Sequence, residues 1–343
     1  MKKRNFYLLF FAGCFVIINF SCFHPAQNEV VIPSTQHLVA DTVCPYQFVF
    51  SMGTVFMKNG HIFMIDPKNA GSMYIYNVQT DQKDYYVVNT DMDYPESLLQ
   101  HLPFSFYQND KDSYYTYLFE NDQLKLTRES FRFVDPKISN VVQIGENQYV
   151  SLGGHAKLLG LFDGRTSKFK SYGHYPLAVT IPVDRKKRAK LLQNFQGNID
   201  FSQKHSTIVY GSKNCAYLSS YRYSGGKLKL RWEKQILPLP SFELVDGYLN
   251  YEKTEQSGNI SSVVTAEDYI FASFVQRNNK DSIYEITYSI LVYNIKGTHI
   301  TTLYTDCPIS IFAVDLDEKT IYGVNTKADG LIRHIVRLQF NEI

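Results

Sequence analysis

Gly53-Thr54-Val55-Phe56-Met57-Lys58-Asn59-Gly60-His61-Ile62-Phe63-Met64-Ile65-Asp66 alternates in period two on either side of Asn59-Gly60. Asn-Gly accepts the positive φ angles of a two-residue turn, so the segment reads as a β-hairpin. Similar units recur along the chain, each an aromatic or aliphatic strand, a polar turn and a further strand. They centre on Tyr74-Ile75-Tyr76, Tyr115 to Phe119, Leu159 to Phe162, Tyr221-Arg222-Tyr223, Leu291-Val292-Tyr293 and Ile335 to Phe340. Tyr76, Phe119 and Phe162 stand 43 residues apart, as do Tyr293 and Val336. A four-stranded propeller blade repeats at about 40 to 50 residues. The expected fold is therefore all-β, a six-bladed β-propeller of four-stranded antiparallel blades. An eight-stranded sandwich is the alternative, but it has too few strands for this chain.

The steps from Phe162 to Tyr223 and from Tyr223 to Tyr293 are longer and require insertions. Pro182 to Phe195 has a helical pattern, with Asp184 placed to cap it, a polar face of Arg185, Lys186, Lys187, Arg188 and Lys190, and an apolar stripe of Leu191, Leu192 and Phe195. It is the one short helical insertion expected. Pro238 to Gly258 reads as a long irregular connection. The last unit, Ile309 to Phe340, has room for three strands. A strand near Val30 to Asp41 is expected to supply the fourth and close the ring, which removes an open sheet edge.

Aromatic residues make up 15% of the 343, with 26 Tyr and 24 Phe but a single Trp, as strand-rich chains favour. The N-terminus is different in kind. Lys2, Lys3 and Arg4 precede an almost unbroken apolar run from Phe6 to Ile18, too short to span a bilayer, which needs about 20 residues. Asn19-Phe20-Ser21-Cys22 then ends in a small residue and a cysteine, similar to a bacterial lipobox, in which the cysteine sulfur takes a diacylglyceryl group. Residues 1–21 are read as a lipoprotein signal peptide, 22–36 as a lipidated tether and 37–343 as the propeller. An ordinary cleaved signal beside a chance cysteine is the plainer alternative.

Without residues 1–21, 32 Lys and Arg face 33 Asp and Glu. A dispersed balance of this kind gives no electrostatic case for nucleic acid. Of five cysteines, Cys44, Cys215 and Cys307 remain once Cys14 and Cys22 are set aside, so at most one disulfide forms and buried thiols are expected.

Asp268 to Phe274, Ser289 to Gly297, Asp306 to Asp315 and Thr320 to Val324, with Asn194 to Ser202 in mid-chain, together resemble the TolB-like six-bladed propeller lipoproteins, a family that includes BF-type gut bacterial envelope lipoproteins of unknown function. Gln203-Lys204-His205 departs from the Pro-Asp-Gly-Lys turn usual there. The resemblance implies a propeller fold, a cell-envelope location at the outer membrane on its periplasmic or surface side, and a lipid anchor. It implies no catalytic residues.

No Gly-x-Ser-x-Gly elbow, His-Glu-x-x-His helix, Cys-x-x-Cys, phosphate loop or dinucleotide fingerprint occurs in the sequence. Three weaker candidates remain. Gly153-Gly154-His155 follows a strand and is placed to bring an imidazole to the funnel mouth; a hairpin glycine pair with a surface histidine is the plainer reading. Asp91, Asp93 and Glu96 lie close in sequence but lack the spaced ligand ladder of a calcium loop, so a solvated acidic loop is expected. Arg185, Lys186, Lys187 and Arg188 form the one concentrated charge feature, suited to anionic lipid, lipopolysaccharide or a partner. The expectation is a monomeric, membrane-anchored, non-catalytic protein without a cofactor, binding an envelope protein or glycan through the funnel or the insertions. A metal-dependent hydrolase or lactonase with its site in the funnel is the alternative.

Overall fold

The computed structural model describes residues 33–44, strand segments between 55 and 132, and 138–343 apart from short connecting stretches. Pro33–Ile343 forms one compact unit. Two strands open it, β1 (Ser34–Leu38) and β2 (Asp41–Cys44). The first blade follows as β3 (Val55–Lys58), β4 (His61–Ile65), β5 (Ser72–Asn77) and β6 (Gln82–Val87), and the second as β7 (Pro95–Leu98), β8 (Phe104–Gln108), β9 (Ser113–Glu120) and β10 (Gln123–Arg132). The third comprises β11 (Ile138–Gly145), β12 (Gln148–Gly153), β13 (Leu159–Asp163) and β14 (Lys168–Tyr172). The fourth comprises β15 (Gly197–Ser202), β16 (Thr207–Ser212), β17 (Tyr217–Ser224) and β18 (Lys227–Gln235). A separate two-stranded hairpin, β19 (Phe242–Val245) and β20 (Tyr248–Tyr251), precedes the fifth blade, β21 (Gln256–Ala266), β22 (Tyr269–Lys280), β23 (Ile283–Asn294) and β24 (His299–Thr305). The sixth blade has three strands after these, β25 (Ile309–Asp315), β26 (Thr320–Asn325) and β27 (His334–Gln339).

Each blade is an antiparallel meander, and the expected period is present strand by strand. Tyr76, Phe119, Phe162, Tyr223, Tyr293 and Val336 each lie on the third strand of their blade. In the opening hairpin Lys58 pairs with His61 and Val55 with Met64, the register that a two-residue turn at 59–60 sets. The hairpin at Gln203-Lys204-His205 is intact: Ser202 pairs with Thr207, and Ser206 takes a φ of 47° to close it.

The first strands of the blades form the inner wall. β11 lies against β7 and β15, β21 against β15 and β25, and β25 against β3, so the last blade adjoins the first. Closure differs from expectation in one respect. β2, not the earlier segment, pairs antiparallel with β27 and supplies the fourth strand of the sixth blade, with Asp41 opposite Arg337. β1, which begins inside the expected tether, instead runs parallel along β24 as a fifth strand of the fifth blade, Ser34 opposite Thr301 and Leu38 opposite Thr305. Its Gln36 side chain accepts a hydrogen bond from the Asn341 amide (2.8 Å) and donates to the Glu342 carbonyl, tying it to the C-terminal residues. The N-terminus thus joins two blades rather than one.

The core lies between blades. One cluster joins the third and fourth blades through Val142, Tyr149, Phe162, Phe201, Tyr210 and Tyr221. Another joins the fifth and sixth through Phe271, Ile290, Phe312, Ile321 and Leu338, and Leu38 of β1 belongs to it. Leu38 is buried while the adjacent Val39 is 76% exposed. Truncating a buried Leu costs about 2–5 kcal/mol, whereas a surface change stays within about 0.5 kcal/mol. Leu38→Ala is expected to lower unfolding stability in urea by that larger amount and Val39→Ala to leave it unchanged; equal effects would remove β1 from the closure.

Candidate functional site

His155 does not reach a funnel mouth, nor is it a surface residue. It sits between β12 and β13 with 2% of its surface exposed. Its amide donates to the Gly153 carbonyl (2.8 Å), Nε2 is 3.0 Å from Ser151 Oγ, and its ring lies 4.8 Å from that of Phe169. Gly160 makes room for it, since a Cβ there would stand 2.7 Å from His155 Nε2. Desolvation pushes the imidazole pKa down to about 4, so the ring is neutral at pH 7, and Nδ1 is buried without a partner. The backbone of His155 has a separate use: its carbonyl accepts from Tyr175 Oη (2.8 Å), which also donates to the Lys157 carbonyl. That pair of bonds holds the start of the connection into the fourth blade.

The helical insertion in that connection forms as its pattern predicts. Asp184 Oδ1 accepts from the Lys187 amide (2.8 Å), an N-cap, residues 190–192 are helical, and Leu191, Leu192 and Phe195 are buried. Lys187 is exposed; Arg185, Lys186 and Arg188 lie outside the described residues, as do Asp91 and Asp93 and the side chain of Glu96.

The second insertion corrects the expectation of an irregular connection, because it contains the hairpin β19–β20. Phe242-Glu243-Leu244-Val245 and Tyr248-Leu249-Asn250-Tyr251 alternate around Asp246-Gly247, and Asp246 adopts a φ of 51°, as a tight hairpin turn requires. The prolines at 238 and 240, just ahead of it, obscured a turn signal that was present. Leu249 packs with Leu177, Leu191 and Phe195, joined by Tyr175, Leu239 and Phe242, so the two insertions share one small core. Lys190 Nζ lies 4.7 Å from the centre of the Tyr248 ring, a cation–π contact between them. The result is a platform built outside the blade repeat. Its tip leaves Leu244 44%, Val245 50% and Tyr248 49% exposed.

Polar groups elsewhere are mostly committed to joining blades. Asp200 is buried and accepts from the Thr265 amide (2.6 Å) and Oγ1 (2.8 Å) across the fourth and fifth blades. On the same pair, Lys204 bridges Glu267 and Asp268, and His205 Nε2 is 2.6 Å from Asp268. These hydrogen bonds hold the Asp268 carboxyl below the usual carboxylate range and raise the Lys204 ammonium. They border an open cleft of about 410 Å³ lined by Phe201, Ser202, Gln203, Lys204, Thr265 and Glu267. Between the third and fourth blades, Glu233 Oε2 accepts from Tyr217 Oη (2.7 Å) and lies 2.8 Å from His174 Nε2. Cys215 is buried and free, its thiol pKa raised by desolvation. Among the described residues no three His, Cys, Asp or Glu side chains gather as metal ligands.

No protein-family profile and no curated protein matches the sequence. Solved structures do resemble the fold, and they are propeller-like proteins. A luciferin-regenerating enzyme superposes with a TM-score of 0.50 at 9% identity, over 88% of this chain and 95% of that one. Regucalcin, a calcium-binding protein from Agrobacterium tumefaciens, gives 0.48 at 10% identity over 90% and 98%. YjhT gives 0.49 at 10% identity over 88% and 97%. At such identities the likeness concerns the fold alone.

Burial of His155 makes a pH prediction. On acidification from pH 7 an unfolded-chain imidazole takes up a proton near pH 6.5, while His155 in the fold stays neutral until about pH 4. The unfolded state therefore binds more protons across that window, and stability falls as pH drops through it, by roughly 3 kcal/mol in all. The measurement is unfolding free energy against pH for the native chain and for His155→Gln, which lacks the titrating group. The variant is expected to lose less stability between pH 6.5 and 4; parallel curves would show that His155 is not buried neutral.

Proposed function

We propose that this chain is a lipid-anchored cell-envelope propeller of the TolB-like kind, held at the outer membrane through Cys22, that binds a protein or glycan partner without transforming it. The observation that carries this reading is the platform. Both departures from an otherwise regular blade repeat condense around one apolar core and present Leu244, Val245 and Tyr248 to solvent. Apolar and aromatic side chains held on a rigid support are what a contact surface uses for its buried centre. Side chains on the inner strands, by contrast, are committed to blade-to-blade bonds such as Asp200 to Thr265 and Ser261 Oγ to the Ile309 carbonyl (3.3 Å).

Anchoring supports weak recognition, because a partner in the same membrane meets the platform at high effective concentration. The experiment has two parts. A fatty-acid label is expected to enter the native chain and not Cys22→Ala, which leaves the membrane fraction; unchanged label and partition would contradict the anchor. A photo-crosslinking residue at position 245 is expected to give a discrete adduct in intact cells, whereas one at the exposed Asp317, on the turn between β25 and β26, gives none. No adduct at 245, or the same adduct at both positions, would contradict the platform as the binding surface.

A further inference from the structure

The near-zero net charge conceals a strong separation along the chain. Residues 138–235, the third and fourth blades with the connection between them, carry sixteen Lys and Arg against five Asp and Glu, a net charge of +11. Residues 5–137 and 236–343 carry sixteen basic side chains against twenty-eight acidic, a net −12. The two blades are adjacent in the ring, β11 against β15, so the protein has one basic sector and an acidic remainder. The expectation of a dispersed balance is corrected here; counting charge by blade rather than by chain would have found the sector.

Arg165 and Lys204 of this sector are paired with carboxylates, but the cations on the outer strands of its fourth blade are not. In the outer hairpin of the fourth blade Arg222 pairs directly with Lys229, and Lys227 with Ser224, so three cations share one face, Lys227 and Lys229 about 7 Å apart. All three are exposed, and Arg231 is exposed beside them, its guanidinium donating to Thr207 Oγ1 (3.1 Å). Like charges opposite one another across an antiparallel pair repel. Yet among the described residues none of Arg222, Lys227 and Lys229 has a carboxylate within ion-pair distance, whereas Arg165 has Glu146, Lys319 has Glu342 and Arg337 has Asp41. Lys157, Lys168, Lys170 and Lys187 extend the exposed array through the third blade and the helical insertion.

We infer that this sector docks on an anionic lipid-bilayer surface. Eleven of its sixteen basic residues are Lys, donors without acceptors, and five of these, Lys168, Lys170, Lys227, Lys229 and Lys234, lie along the outer strands β14 and β18 rather than in a pocket. Lysine acts as a point charge, and mobile headgroups rearrange to meet such an array. A glycan of fixed shape calls instead for acceptors set beside the donors. The acidic remainder is repelled by the same surface, so the contact orients the ring. The inference is independent of Cys22, since the sector acts on the bilayer with or without an attached lipid.

The test uses residues 33–343, which hold all six blades and both closing strands as one compact unit and carry neither the apolar leader nor Cys22. This unit is sedimented with vesicles of phosphatidylcholine alone or with about one third phosphatidylglycerol, at ~0.05 M and ~0.3 M salt, where screening lengths differ about twofold or more. Binding is expected on the anionic vesicles only, at least tenfold weaker at the higher salt. Arg222→Glu/Lys227→Glu/Lys229→Glu is expected to weaken it at least tenfold with an unchanged circular dichroism spectrum. Should that variant unfold, Lys227→Gln/Lys229→Gln serves in its place, with a severalfold loss expected. Equal binding to neutral vesicles, no salt dependence, native binding by the folded variant, or retention on an immobilised anionic polysaccharide without vesicle binding would each overturn the inference. The fatty-acid label at Cys22 would stand or fall separately.

Discussion

A propeller blade is a sheet that cannot end in water on either face. In β16 all six residues are buried, and in β26 five of six, because each blade packs between two others. Such a sheet gains its stability only when every neighbour is present, and the first and last blades are neighbours through β25 and β3. The chain must therefore bring its two ends together, since a sixth blade of three strands would leave an open edge. β2 meets that need at β27, and β1 extends the join to β24, with Leu38 buried in the cluster of the fifth and sixth blades. The Gln36 side chain, bonded to the backbone of Asn341 and Glu342, ties the two ends a second time.

That constraint separates the chain into parts that are fixed and parts that are free. Strands within blades answer to packing on both faces, and their polar side chains are drawn into blade-to-blade bonds: Asn198 to the Ser261 carbonyl, Ser273 to the Ile309 carbonyl, Asp200 to Thr265. The connections between blades escape it. The two long ones build their own small core around Leu191, Phe195 and Leu249, and there Leu244, Val245 and Tyr248 face solvent together. Charge follows a similar division: apart from Asp200 the buried side chains named above carry no charged group at pH 7, while outer strands such as β18 carry the surplus cations of the basic sector.

Local chemistry made the blades legible. Asp163-Gly164 and Gly225-Gly226 are turns that declare themselves in a few residues, and an aromatic residue marks the third strand in five of the six blades, Val336 taking its place in the sixth. What escaped was non-local. Parallel pairing of β1 with β24 involves no turn and links residues more than 260 positions apart, so nothing near Ser34 points to Thr301. Burial of His155 depends on the space left by Gly160 and on Phe169 of the next strand, neither of which the sequence around Gly153-Gly154 reveals. The β19–β20 hairpin had an Asp-Gly signal, but Leu244 and Val245 are both exposed, and the weak alternation after two prolines read as irregular. The helical insertion was legible because Asp184 and the Leu191, Leu192, Phe195 stripe carry its start and its buried face within one short local segment.

Closure of the ring by the N-terminal strand is the claim on which the remainder rests, and a cross-link across that seam tests it most directly. Asp41 and Arg337 are register partners on β2 and β27 with side chains 3.3 Å apart, Asp41 exposed and Arg337 half-buried, so cysteines there should be tolerated. With Cys44 replaced by Ser to avoid exchange, Asp41→Cys/Arg337→Cys is predicted to form an intrachain disulfide on mild oxidation of the folded protein. The same chain unfolded in urea should not form it at a comparable rate. Failure of the folded chain to cross-link, or equal cross-linking in urea, would contradict a ring closed by β2.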